Sequence, residues 1–235
     1  MAVIREVAIA DCVHFCGFRY GRNEMNPYEN YICGLADGKP LAWLRECFID
    51  FVRHYRPQDL GEALGIATSK PIPLWWLPWK SWRKLLHPGG GWQKSPEDVV
   101  DIMTYFISSG VEIRRIEKEF FWLERAYLAI RDIGYQPDLF DYIDVFELRG
   151  LNDSRFLVIE GNHRLSALHA LGHKLVRVRR RAFYQAHLSR ARFWPLVLSG
   201  HVPFPDAAAI FKAYFSGNQV PHRAEVPAAL LRVSK

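Results

Sequence analysis

The spacing of apolar residues along the chain predicts several amphipathic helices. Within residues 40–56 the apolar positions recur every three or four residues, which places them on one helical face. The same spacing runs through 112–133, and Gly134 follows it at once, as a helix-ending glycine commonly does. A serine, a proline and two acids predict the start of another helix over 95–109. Residues 204–217 form a further amphipathic segment that ends in glycine.

Apolar runs and alternating patterns predict the strands. Up to about residue 20 the chain has the pattern of one or two strands, and 142–150 and 155–161 predict two more, joined by a polar turn. Residues 162–172 have the pattern of a short helix, and 174–181 that of a strand in which valine and arginine alternate. Helices and strands mixed in this order predict an α+β fold.

Two segments depart from these patterns. Residues 22–31 are polar around Pro27, and we expect a turn there. Residues 70–94 hold four prolines, five tryptophans and three consecutive glycines, which is too broken for regular structure. The tryptophans and neighbouring cations of 70–94 either contact sugar rings or a membrane surface, or form a small aromatic core of their own.

Charge is distributed unevenly along the chain. Residues 151–235 carry 13 Lys and Arg against 4 Asp and Glu, whereas 1–150 carry 18 against 21. The basic half either binds an anion, such as phosphate, nucleic acid or an acidic glycan, or forms a solvated face. Within it Arg177, Arg179 and Arg181 share one strand face, where they either extend a phosphate site or keep an edge strand soluble.

The cysteines indicate a reducing compartment. All four lie within the first 47 residues, and their spacing is not that of a zinc site. The first residues lack the pattern of a signal peptide, and no run approaches the roughly 20 apolar residues of a membrane span. These features predict free thiols and a cytoplasmic location.

The residues that carry candidate chemistry are Glu160-Gly-Asn-His-Arg164, here called the corner, where a predicted strand meets a helix. Amides in the first turn of a helix have no intrahelical partner and favour anions, phosphate above all. Arg164 adds a fork that matches two phosphate oxygens, and Asn162 and His163 add polar contacts. Glu160 repels phosphate unless a cation or a substrate hydroxyl lies between them, as in metal-assisted phosphoryl transfer.

A purely structural interpretation of the corner is also open. In it Asn162 caps the helix, Arg164 forms an ion pair with Glu160, and His163 is a surface residue. The local pattern alone does not decide between the two interpretations.

The stretch "FLVIEGNHRLSALHALGHKLVRV" (156–178) resembles the nucleotide-binding core of the ParB/sulfiredoxin-like superfamily. Members of that superfamily show a strand, then Asp/Glu-Gly-x-His-Arg or Gly-x-x-Arg, then a helix ending in Leu-Gly, then a strand. The upstream residues 123–150 resemble the family's preceding helix, turn and strand, so the likeness covers about 120–182. It implies a small mixed sheet with flanking helices, carrying a mainly helical, Trp-rich insertion.

The resemblance also implies domain boundaries. Residues 1–31 and 116–185 would form the ParB/sulfiredoxin-like core, 32–115 the helical and irregular insertion, and 186–235 a helical C-terminal extension. The segment "NPYEN" (26–30) resembles the proline-containing segment that faces the nucleotide in this family.

The site residues that the resemblance implies follow from matched positions. Gly161, Asn162, His163 and Arg164 would surround the phosphates of ATP, ADP or CTP. Glu160 stands where kinase-like relatives carry aspartate, and it would lie near Mg²⁺. In the free-serine kinase branch a glutamate after the proline is the base, and Glu29 matches that position.

Departures from the family narrow the function. Sulfiredoxins have their catalytic cysteine where this chain has Asn162, which argues against reductase chemistry. Chromosome-partitioning relatives continue into a helix-turn-helix domain, whereas only about 50 residues follow here without that pattern, which argues against a nucleic-acid partner.

The sequence thus predicts a nucleotide-dependent phosphotransferase that acts on a hydroxyl of a small molecule or glycan, with Glu29 or Glu160 taking the acceptor's proton. The alternative is a non-catalytic nucleotide-gated switch or a nucleic-acid-binding module of the ParB-like type. Contact with a membrane surface through 70–94 is compatible with either function.

Overall fold

A five-stranded mixed sheet lies at the centre of the computed structural model, which describes residues 2–21, 26–74, 76–80 and 113–216. The strands are β1 (Val3–Ala8), β2 (Cys12–Val13), β3 (Ile143–Arg149), β4 (Ser154–Glu160) and β5 (Leu175–His187). Their order across the sheet is β1-β5-β3-β4-β2. The β1–β5 and β3–β4 pairs are antiparallel, and the β5–β3 and β4–β2 pairs are parallel.

The helices complete an α+β fold. They are α1 (Pro27–Ala36), α2 (Leu41–His54), α3 (Leu60–Leu64), α4 (Ile113–Ile133), α5 (Pro137–Phe140), α6 (Asn162–Ala170), α7 (Pro195–Leu198) and α8 (Phe204–Ser216). Short 3-10 helices occupy Ile9–Asp11 and Leu188–Phe193. In the described parts of the chain no helix is long and apolar enough to cross a bilayer.

Most sequence predictions of helices and strands are confirmed. The predicted helices at 40–56, 112–133, 162–172 and 204–217 correspond to α2, α4, α6 and α8. Apart from the four-residue α5 between α4 and β3, the order α4-β3-β4-α6-β5 repeats the predicted helix–strand–strand–helix–strand sequence. The predicted helix over 95–109 lies outside the described residues.

The turn expected over 22–31 is wrong for residues 27–31, where α1 begins. The side chain of Asn26 caps the helix, because its Oδ1 accepts hydrogen bonds from the amides of Tyr28 (3.2 Å) and Glu29 (3.3 Å). Proline at the first helical position lacks the amide that would otherwise have no partner there. An asparagine followed by proline therefore starts a helix here. The other residues of the expected turn, 22–25, lie outside the described part of the chain.

The prediction that β5 is an edge strand is also wrong. β1 pairs with it antiparallel from Val3, opposite Arg180, to Ala8, opposite Leu175. β3 covers its other side, so the arginine-rich strand lies inside the sheet. Charge along β5 is consequently not needed to protect an exposed strand edge.

One hydrophobic core joins the sheet to the part of the predicted insertion that the structure describes. Ile32, Leu44 and Phe51 belong to the same buried cluster as Val145 and Leu157 of the sheet. The predicted boundary after residue 31 falls inside α1. The helices α1 and α2 therefore contribute directly to the core that supports the sheet.

All four cysteines are free thiols, as predicted. Cys12 and Cys16 are buried, and burial together with the charge of Asp11 raises the pKa of Cys12 well above its usual range. A thiol in such surroundings stays protonated and acts as a small apolar side chain.

The tryptophan-rich segment reaches the core through Trp79, which is 7% exposed. Its ring lies 5.3 Å from the ring of Trp194 and 5.7 Å from that of Phe211. Trp79 thus belongs to an aromatic core, and that core is shared with the C-terminal elements instead of being local to the segment. Trp82 and Trp92 lie outside the described residues.

We expect Trp79→Ala to lower the free energy of unfolding by about 3–5 kcal/mol, the usual cost of removing a buried tryptophan. Trp122→Ala is the matched control, because Trp122 is 50% exposed on α4, and it should change stability by less than about 0.5 kcal/mol. Urea denaturation measures both values. Equal effects of the two substitutions would contradict the packing of Trp79.

Candidate functional site

The backbone of the corner is set by Gly161, which has φ +102° and stands between β4 and α6. The first helical hydrogen bond after it runs from the Leu165 amide to the Gly161 carbonyl (3.0 Å), and no side chain caps the helix. The amides of 162–164 precede that bond and have no partner within the helix. A Cβ on residue 161 would lie 2.9 Å from Cγ1 of Ile143, so the site requires glycine for space as well as for φ.

Asn162 turns its side chain into the protein. It is 8% exposed, and its Oδ1 accepts a hydrogen bond from the hydroxyl of Tyr20 (2.7 Å). This contact fastens the first residue of α6 to the segment that follows β2. The backbone amide of Asn162, not its side-chain oxygen, is therefore the group that remains suited to a ligand.

His163 is held by a buried acid from another helix. Its Nε2 lies 2.6 Å from Oε1 of Glu119, which is 5% exposed on α4. The ring of Tyr28 packs edge-on against the imidazole, with centroids 5.3 Å apart. About a quarter of the His163 side chain (27%) remains exposed.

Arg164 folds back over the corner. Its Nη1 donates to the carbonyls of Phe140 (3.2 Å) and Asp141 (2.5 Å), at the end of α5. Its Nη2 lies 3.1 Å from the position that a Cβ on Gly161 would occupy. The guanidinium therefore stabilises the turn between α5 and β3, and it brings its positive charge next to the free amides.

Glu160 is exposed at the end of β4, where it lies opposite Asp144 of β3. Asp144 is only 2% exposed and is paired with Arg179 (2.5 Å) and Arg181. No group of three or more metal-ligating side chains occurs in the described part of the chain. Glu160 is a single exposed carboxylate, and Mg²⁺ commonly takes one or two carboxylates together with substrate phosphates.

The purely structural interpretation of the corner does not describe these contacts. Asn162 bonds to Tyr20 and caps nothing, Arg164 bonds to carbonyls and not to Glu160, and His163 bonds to Glu119. Each of the three side chains has a partner, while the amides between them do not have one within the helix.

Glu29 contacts the later part of α6. It is fully buried on α1, where its Oε1 accepts a hydrogen bond from the Gly21 amide (2.7 Å) and pairs with Nδ1 of His169. His169 follows Asn162 by seven residues, or about 10 Å along the helix axis. The predicted base is thus buried in an ion pair, and His169, 24% exposed, is the surface member of that pair.

The arginines of β5 form ion pairs with acids of the protein, two of which are buried on β3. Asp144 pairs with Arg179 and Arg181, and Arg177 pairs with Asp138 (3.0 Å). The second buried acid, Glu147, contacts Arg5 (2.9 Å), Arg149 (2.9 Å) and Arg180 (3.1 Å). The arginine face of β5 therefore forms ion pairs within the protein, in which Asp144 and Glu147 together contact five arginines.

Sequence reasoning missed Glu119, His169 and Tyr20. Glu119 carries a signal, because it stands between Ile116 and Leu123 on the core-facing stripe of α4, where an acid is out of place. Tyr20 and His169 have no such signal in the sequence, because their contacts depend on how distant segments of the chain pack.

Comparison with known proteins gives no further identification. No protein-family model matches the chain, and neither does any curated protein or solved structure. The likeness to the ParB/sulfiredoxin-like superfamily therefore depends on the residues of 120–182 themselves.

The pair of Glu29 and His169 predicts a pH dependence of stability. The hydrogen bond to Glu29 raises the pKa of His169 above its ordinary value. The contribution of this pair to stability is then complete below the unfolded-state histidine pKa of about 6.5, and it is lost as pH rises through the raised pKa of His169 in the folded protein. We expect the stability difference between wild type and His169→Gln, measured by urea denaturation, to shrink from pH 6 to pH 8.5.

His173→Gln is the control, because His173 is exposed just beyond the end of α6. Its difference from wild type should not change over this range. A constant difference for His169→Gln would show that His169 does not form a charged pair with Glu29.

Proposed function

We propose that the protein is a nucleotide-binding phosphotransferase of the ParB/sulfiredoxin-like type, transferring phosphate to a hydroxyl of a small molecule or glycan. The observation that carries the proposal is the uncapped first turn of α6, directly after the left-handed Gly161. Such a turn binds phosphate through its amides and through the positive end of the helix dipole. Arg164 adds a permanent charge beside the same turn.

Glu160 gives the site a second property. Its carboxylate is exposed at the same corner, where it would hold Mg²⁺ against the phosphates. The ion, when bound, neutralises charge on the phosphates during transfer. A simple anion-binding site needs no carboxylate, so Glu160 favours phosphoryl transfer over plain phosphate binding.

The surroundings of the corner support the same family. Apart from the short α5, the order α4-β3-β4-α6-β5 matches the order of elements in the resemblance. Asn162 in place of a cysteine argues against reductase chemistry. The free thiols support a cytoplasmic location.

A non-catalytic nucleotide-gated switch is the second candidate. It is favoured by the burial of Glu29, the residue that matches the base of the kinase branch. A nucleic-acid-binding role is less well supported, because the arginines of β5 are paired with acids of the protein.

The test is to titrate the purified protein with ATP, ADP and CTP in the presence of Mg²⁺ by calorimetry, and to follow turnover by phosphorus NMR. Arg164→Ala should weaken nucleotide affinity by about 1.5–3 kcal/mol, the scale of a charge-assisted contact. Arg177→Ala, an exposed arginine paired with Asp138, is the control and should leave affinity unchanged. Glu160→Gln should lower turnover and its dependence on Mg²⁺.

The outcomes separate the two candidates. Nucleotide binding without turnover in any mixture of acceptors supports the switch and contradicts the phosphotransferase. Absence of nucleotide binding, or equal losses in Arg164→Ala and Arg177→Ala, contradicts a phosphate site at the corner.

A further inference from the structure

The groups closest to the corner that could accept a proton are few among the described residues. Glu29 and Asp144 are buried and ion-paired, Glu29 with His169 and Asp144 with two arginines of β5. Glu160 is the residue suited to Mg²⁺, and a carboxylate bound to a cation is a weak base. His163 stands in the first turn itself, and its imidazole is partly exposed.

The orientation of His163 suits proton transfer. Side chains on a helix point back towards its N-terminus, so the imidazole leans towards the free amides. Nε2 of His163 forms a hydrogen bond with Oε1 of Glu119 (2.6 Å). Among the described residues no hydrogen bond to Nδ1 of His163 occurs. An imidazole whose Nε2–H donates to a carboxylate has its lone pair on Nδ1 and can accept a proton there.

A stabilising role alone explains the Glu119–His163 pair poorly. Glu119 is 5% exposed on the core-facing stripe of α4, and its neighbours Ile116 and Phe120 are buried apolar residues. Burying a carboxylate is costly, and replacing a buried charged pair by apolar residues is often neutral or stabilising. A buried acid that fixes an imidazole beside a ligand site has the arrangement in which an acid orients a general base.

We infer, on the basis of the proposed phosphotransferase function, that His163 is the general base that takes the proton of the attacking hydroxyl, and that Glu119 is its positioning residue. In the transfer step the hydroxyl oxygen forms a bond to the terminal phosphorus while its O–H bond breaks and the proton moves to Nδ1 of His163. The bond from this phosphorus to the bridging oxygen of the nucleotide breaks, and the nucleotide, shorter by one phosphate, leaves with the electron pair. The resulting imidazolium is paired with the Glu119 carboxylate until its proton passes to water.

The test compares His163→Gln, Glu119→Gln and Glu117→Gln, the last being an exposed acid on the same helix. Nucleotide affinity is measured by calorimetry with ATP and CTP. Turnover is followed by phosphorus NMR with water alone as acceptor and with a mixture of polyols, sugars and hydroxy amino acids. Thermal unfolding confirms that each variant is folded.

If His163 is the general base, its removal should lower kcat and leave nucleotide affinity unchanged. His163→Gln should lower kcat by about 10²–10⁴-fold and Glu119→Gln by at least about tenfold, with nucleotide affinity unchanged in both. Glu117→Gln should behave as wild type. Imidazole added to His163→Ala should restore part of the lost turnover.

A second measurement does not depend on turnover. Nitrogen NMR of the histidine side chains at pH 8 should show His163 as the tautomer protonated on Nε2, and Glu119→Gln should alter that signal. Protonation on Nδ1 instead would overturn the role of Glu119.

Other outcomes contradict either the inference or its foundation. If His163→Gln binds nucleotide more weakly and keeps the wild-type kcat, His163 is a phosphate ligand and only the inference is overturned. If His163→Gln keeps both the wild-type affinity and the wild-type kcat, the inference is likewise overturned. A wild-type protein that binds nucleotide without turnover, or binds none, contradicts the proposed function and the base together.

Discussion

The proposed phosphate site depends on one backbone constraint, the left-handed conformation of Gly161. With φ +102° the chain leaves β4 and enters α6 within a single residue, so no side chain at the N-cap position can cover the amides that follow. Ile143 fills the space where a Cβ would stand. The sharp turn places the amides that have no partner within the helix directly after Glu160 and beside the guanidinium of Arg164.

Polar contacts from three parts of the chain fix α6 around that turn. Tyr20 holds its first residue, Glu119 of α4 holds His163, and Glu29 of α1 holds His169 near the other end. Two of these contacts use buried acids, which makes the position of α6 sensitive to the packing of α1 and α4. The proposed phosphate site needs such support, because a small displacement of the amides would weaken their combined contact with a phosphate.

Local signals in the sequence predicted the parts of this arrangement that depend on neighbours along the chain. The apolar spacing of 112–133 predicts α4, and the apolar run ending in Glu-Gly predicts a strand that turns into a helix. The pairing of His163 with Glu119, 44 residues apart, depends on how α4 packs on α6 and has no local signal. The central place of β5 likewise needs β1, which comes from the start of the chain.

The most direct measurement of the central claim is amide NMR of the protein during titration with ADP and Mg²⁺. The account predicts that the amide protons of Asn162, His163 and Arg164 move downfield together, because they form hydrogen bonds to phosphate oxygens, and that they saturate at one nucleotide concentration. If these three amides stay unshifted while nucleotide binds and shifts residues elsewhere, the first turn of α6 is not the phosphate site.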